Sequence, residues 1–80
     1  MQISAQISLY PLKQQSLFPT IEAAWKILEA HQLNPQKGGM STVVSGAAEE
    51  VFAAIQDVFL KSSERGLVSM VVTFSNACPI

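Results

Sequence analysis

Little in this chain carries charge. Lysine and arginine number five against six aspartate and glutamate, a net charge of −1, and charged residues make up only 14% of the sequence. An average domain holds about 25%. Binding through a phosphate backbone needs a basic surface, so no nucleic-acid partner is expected. Cysteine is scarcer still: Cys78 stands alone, which rules out an intramolecular disulfide framework and a thiolate metal cluster. No apolar run approaches the roughly 20 residues that cross a bilayer, and no basic stretch followed by an apolar one opens the chain. The expectation is a cytoplasmic module with neither membrane span nor secretory signal. Eighty residues, 49% of them hydrophobic, are too apolar for disorder and too few for two cores, so residues 1–80 are read as one domain.

Catalytic side chains are equally thin. His31 is the only histidine and falls near the end of a helical stretch, where its charge is favourable. Cys78 sits in a terminal tail without the electropositive setting a nucleophile needs. Glu49 and Glu50 are neighbours, which a helix points about 100° apart, and they suit a helix start better than paired acid–base work. Gly38-Gly39 lacks the lysine and length of a phosphate-cradling loop. No enzyme, resident cofactor or metal site is expected.

What the chain does have is clear periodicity. Residues 2–10 alternate, with Ile3, Ala5, Ile7 and Leu9 to one side and Gln2, Ser4, Gln6 and Ser8 to the other, the pattern of a half-buried strand that Pro11 closes. Residues 16–33 have a helical period: Phe18, Ile21, Trp25 and Leu28 make an apolar stripe, Pro19 falls in the first turn, and Asn34-Pro35 marks the stop. Residues 40–44 read as a strand, preceded by a polar, glycine-bearing segment fit only for a sheet edge. A second helix over 47–65 is expected to be capped by Ser45 or Gly46 and to bury Val51, Phe52, Ile55, Val58 and Phe59, with Gly66 in the left-handed conformation beyond its end. Residues 67–75 form a last strand that is apolar on both faces: Val68, Met70, Val72 and Phe74 line one side, and Leu67 and Val71 sit among Ser69, Thr73 and Ser75 on the other.

The order β-α-β-β-α-β with right-handed crossovers predicts an α+β ferredoxin-like fold: an antiparallel sheet carrying two helices on one face, its first and third strands central. The last strand is then a long apolar edge, a pairing hazard unless covered. Together with the low charge, this predicts a homo-oligomer, a dimer or a tetramer.

The opposite sheet face is an uncharged set of hydroxyls and one amide from Ser4, Gln6, Ser8 and alternate residues of 41–45, with apolar contact from Val71 and Met40. Such groups offer donors and acceptors without charge and suit a flat heteroaromatic ligand, bound where a neighbouring copy seals the face.

Residues 3–12 (ISAQISLYPL) and 39–46 (GMSTVVSG), followed by Glu49-Glu50-Val51-Phe52, resemble the YkoF-like thiamine-binding family, a likeness running from Gln2 to about Phe74. The resemblance implies a ferredoxin-like domain assembling through its sheet, a non-enzymatic protein binding thiamine or its hydroxymethylpyrimidine precursor. It also lacks that family's alternating second strand at residues 34–39. On this reading the Gln6 amide pairs with the aminopyrimidine edge, Ser4, Ser8, Ser41 and Thr42 answer the remaining polar atoms, Tyr10 faces a thiazolium cation, and Met40 adds apolar contact. A regulatory domain sensing an amino acid or other metabolite, or a purely structural subunit, are the competing readings; fold alone does not separate them.

Overall fold

The computed structural model describes residues 1–13, 15–39 and 41–77. Six elements follow in order: β1 (Gln2–Pro11), α1 (Phe18–Ala30), β2 (Gln36–Lys37), β3 (Thr42–Ala47), α2 (Ala48–Arg65) and β4 (Val68–Ser75). The four strands form one antiparallel sheet in the order β2-β3-β1-β4, the ferredoxin-like arrangement expected from the sequence. β1 and β3 are central: Ile3, Ala5 and Ile7 of β1 and Val44 of β3 are buried under the helices, whereas Met70 and Val72 of β4 are only partly buried against the same core. β2 is a two-residue edge that pairs Gln36 with Val43 and Lys37 with Thr42, as its polar, proline-led sequence requires. β4 is the other edge, eight residues long and joined to β1 from Ser4↔Ser75 to Pro11↔Val68.

Four local expectations are corrected. α1 ends at Ala30, three residues before the periodicity does. Its close is a Schellman turn: the Leu33 amide donates to the Leu28 carbonyl at 3.0 Å, the Gln32 amide donates to Glu29 at 2.9 Å, and buried Leu33 packs beside Leu28. Gln32 takes the left-handed position at φ 62°, where glycine is the usual signal, so composition hid the stop.

The second correction is at the start of α2. Its N-cap is Ala47, without a side-chain hydrogen bond, because β3 runs straight into the helix. The Met1 carbonyl accepts from the Ala48 amide at 2.9 Å and does part of the work of a cap. Gly46 stays in the strand, where a Cβ would come within 2.9 Å of Leu33. Third, Gly66 is not left-handed helical; it is extended at φ 147° and ψ −163°, a region essentially reserved for glycine.

Fourth, the buried stripe of α2 is Val51, Ala54, Ile55, Val58 and Ser62, while Phe52 and Phe59 lie on an exposed flank. Phe52 meets Phe74 of β4 there, ring centroids 4.8 Å apart. Small side chains let the helix approach the sheet closely; two phenylalanines in the stripe would have held it off.

Candidate functional site

A cavity of about 370 Å³ opens between α1 and the sheet, within the usual range of roughly 300–1,000 Å³ for small-molecule sites. Ile7 and Leu9 of β1 and Val58 of α2 form its base, and Ala24 and Leu28 its inner wall. Phe18, Ile21 and Trp25 stand around it on the α1 side, while Ser41, Thr42 and the Gly38-Gly39 turn make the rim. The walls are largely apolar, with Ser41 and Thr42 at one edge, a distribution common in small-molecule sites.

Trp25 organises this rim. Its indole Nε1–H donates to Thr42 Oγ1 at 3.0 Å. That leaves the Thr42 hydroxyl hydrogen available to donate in turn. Phe18 meets the indole edge-on, with centroids 5.8 Å apart and planes at 81°. The Lys37 ammonium sits 4.7 Å above the indole and 3.9 Å from Glu29 Oε2.

The seven residues grouped from sequence fall into separate places. Ser4, Gln6 and Ser8 share the sheet face away from the helices, in register with Ser75, Thr73 and Val71 of β4, with Ser4 buried there and Gln6 exposed. Two of them engage hydroxyls across the strand pair: Ser4 Oγ and Ser45 Oγ are 2.8 Å apart, and Gln6 Nε2 donates to Ser41 Oγ at 3.2 Å. Thr42 is not on that face. It alternates with Ser41 and Val43, and so points toward the helices with buried Val44, into contact with Trp25. Ser41 and Tyr10 border the cavity, and Met40 lies outside the described residues, as does Cys78. Sequence reasoning placed Trp25, Phe18 and Ile21 in the core because their spacing is helical. The overlooked signal was the parity of β3, which puts Thr42 beside apolar Val44.

A second polar cluster ties the helices together. His31, the C-cap of α1, places Nδ1 2.6 Å from Glu50 Oε1 and Nε2 3.3 Å from Asp57 Oδ2, both on α2. Only the imidazolium can donate to both carboxylates. The hydrogen bonds to Glu50 and then Asp57 therefore raise the His31 pKa above its ordinary 6.5. The carboxylates engage opposite ring nitrogens and cannot converge on one ion. Among the described residues no histidine, cysteine and carboxylate group is placed to hold a metal. No helix among them is long and apolar enough to cross a membrane.

Strand order and helix placement define a ferredoxin-like α+β domain with an apolar cavity beside its first helix. Residues 2–80 match the model of the YKOF-related family, and the chain belongs to that family. The hypothetical protein MJ1052 from Methanocaldococcus jannascii is similar in structure, with a TM-score of 0.87 at 18% identity, over 99% of this chain and 84% of that one. Protein SP2199 from Streptococcus pneumoniae matches with a TM-score of 0.86 at 17% identity, over 94% and 86% of the two chains. A Thermotoga maritima protein, TM0486, named provisionally as a thiamine biosynthesis/salvage protein, gives 0.82 at 14% identity, over 94% and 83%. At such identities the likeness shows the fold alone. No curated protein matches the chain.

Proposed function

We propose that this chain binds a small planar heteroaromatic molecule, thiamine or its hydroxymethylpyrimidine precursor, in the cavity beside Trp25 and does not transform it. The observation that carries this reading is the cavity itself: largely apolar walls, with Ser41 and Thr42 among the residues of its rim and the Thr42 hydroxyl on the helix side of the sheet. The Thr42 hydroxyl, already accepting from Trp25, has its hydrogen to give to a pyrimidine ring nitrogen. Family membership and the name of the Thermotoga protein support the choice of ligand. No nucleophile, metal cluster or acid–base pair among the described lining residues argues for chemistry there.

Thermal shift tests the reading. A ligand at a hundredfold excess over Kd adds about 2.7 kcal/mol of stability, so thiamine or hydroxymethylpyrimidine should raise the melting temperature, and amino acids should not. A shift with amino acids alone would support a regulatory sensor instead. The site is located by two variants. Thr42→Val should weaken binding by about 1–3 kcal/mol, the cost of unpaired polar groups, while Gln6→Ala should leave it nearly unchanged. The reverse result would return the ligand to the open sheet face.

We also propose that the protein is a homo-oligomer, a dimer or tetramer, joined through β4 and the adjoining sheet face. Leu67 and Val71 there are 60% and 57% exposed, and the outer backbone groups of an eight-residue edge need partners. Light scattering at micromolar concentration checks this: a monomeric mass would remove the proposal.

A further inference from the structure

The cavity is uncharged, yet one cation stands beside it. Among the described lining residues none is acidic or basic, so nothing inside answers a permanent positive charge. The surface best suited to a cationic ring is the face of Trp25, and Lys37 Nζ already lies 4.7 Å above that indole. The nearest carboxylate of α1, Glu29, is engaged by the same ammonium at 3.9 Å. Lys37 is held in place by its backbone: it pairs with Thr42 across β2 and β3, so its side chain projects to the helix side of the sheet with Thr42.

We infer that Lys37 makes this cavity select an uncharged planar ring over a cationic one: the neutral aminopyrimidine, and not the thiazolium-bearing vitamin, is its preferred ligand. The inference rests on the cavity being the pyrimidine site, as proposed above. The ammonium acts in two ways. It stands over one face of the indole, beside and not among the residues that line the cavity, and it pairs with the Glu29 carboxylate that would attract a second cation. A thiazolium stacked on Trp25 has this like charge near the same ring, partly screened because the Lys37 side chain is 45% exposed. A neutral ring meets no such opposition.

Trp25 is the only tryptophan of the chain, so its emission reports the site directly. The intact protein is titrated with hydroxymethylpyrimidine and with thiamine at mildly alkaline pH, where the aminopyrimidine carries no proton. Hydroxymethylpyrimidine should bind about tenfold more tightly than thiamine, and the gap should narrow as salt rises. Lys37→Met keeps the apolar stem and removes the charge. It should tighten thiamine about three- to tenfold while leaving hydroxymethylpyrimidine within about twofold. Lys37→Arg should retain the discrimination and shows that the fold tolerates change at this position. Thiamine binding as tightly as hydroxymethylpyrimidine to the unaltered protein, or an affinity ratio unmoved by Lys37→Met, overturns the inference and leaves the cavity a pyrimidine site. Failure of both ligands to alter Trp25 emission or to release heat on mixing overturns the underlying site reading as well.

Discussion

The two helices lie on the same sheet and meet it differently. α2 presents Val51, Ala54, Ile55 and Val58, all buried, and packs against β1, β3 and β4. α1 leans chiefly on α2, and it presents Phe18, Ile21 and Trp25 around an open space. Both stripes have the same period, so periodicity cannot tell them apart. Side-chain size does. Short side chains interdigitate closely with a sheet, while the large rings of Phe18 and Trp25 border an open space. α2 closes the core, while α1 buries Thr20, Ala24 and Leu28 and also lines the cavity.

The sharpest test of that contrast is a matched truncation. Ile55→Ala in α2 should cost about 2–5 kcal/mol in urea denaturation, since it opens a hole in a closed core. Ile21→Ala should cost about 1 kcal/mol, since it only widens a space already present. Equal losses would mean that the two helices are packed alike. The helix ends differ too. Gly66→Ala beyond α2 forces a Cβ into φ 147° and should cost about 1–3 kcal/mol. Gln32→Gly beyond α1 relieves a side chain at φ 62° and should gain about 0.5 kcal/mol, read as a rise in melting temperature.

The subtlest effect concerns the link between the helices. His31 titrates near 6.5 when unfolded and higher when held by Glu50 and Asp57. Its stabilising contribution is therefore complete below about pH 6.5 and fades as pH rises through the raised folded value. Melting curves of the protein and of His31→Gln should differ most at mildly acidic pH and converge at alkaline pH. A difference that stayed constant would show that the imidazolium charge is not what joins the helices.

Most of the fold was legible in the chain. The alternation of residues 2–10, the two helical periods and the polar edge at Gln36-Lys37 suffice to order the sheet. What stayed hidden depended on neighbours distant in sequence. Glu50 reads as an ordinary acid in a helix's first turn until His31, nineteen residues earlier, is placed against it. Asp57 reads as the i,i+4 partner of Lys61, whereas in the structure it faces His31 and Lys61 lies 4.0 Å from Glu64. The placement of Thr42 was hidden for a related reason. Polarity grouped Thr42 with Ser4, Gln6 and Ser8, while strand parity assigns it to the opposite side, where Trp25 waits seventeen residues upstream. Hydroxyl count is a weaker guide than side-chain direction.

One bond at the chain's beginning couples parts that are far apart in sequence. The carbonyl of Met1 holds the first amide of α2, a helix whose start has no side-chain cap. Fraying of the first strand from its outer end thus also loosens the helix, and the two should open as one cooperative unit. In native-state hydrogen exchange the Ala48 amide would keep time with the margins of β1, not with the helix interior a few residues on.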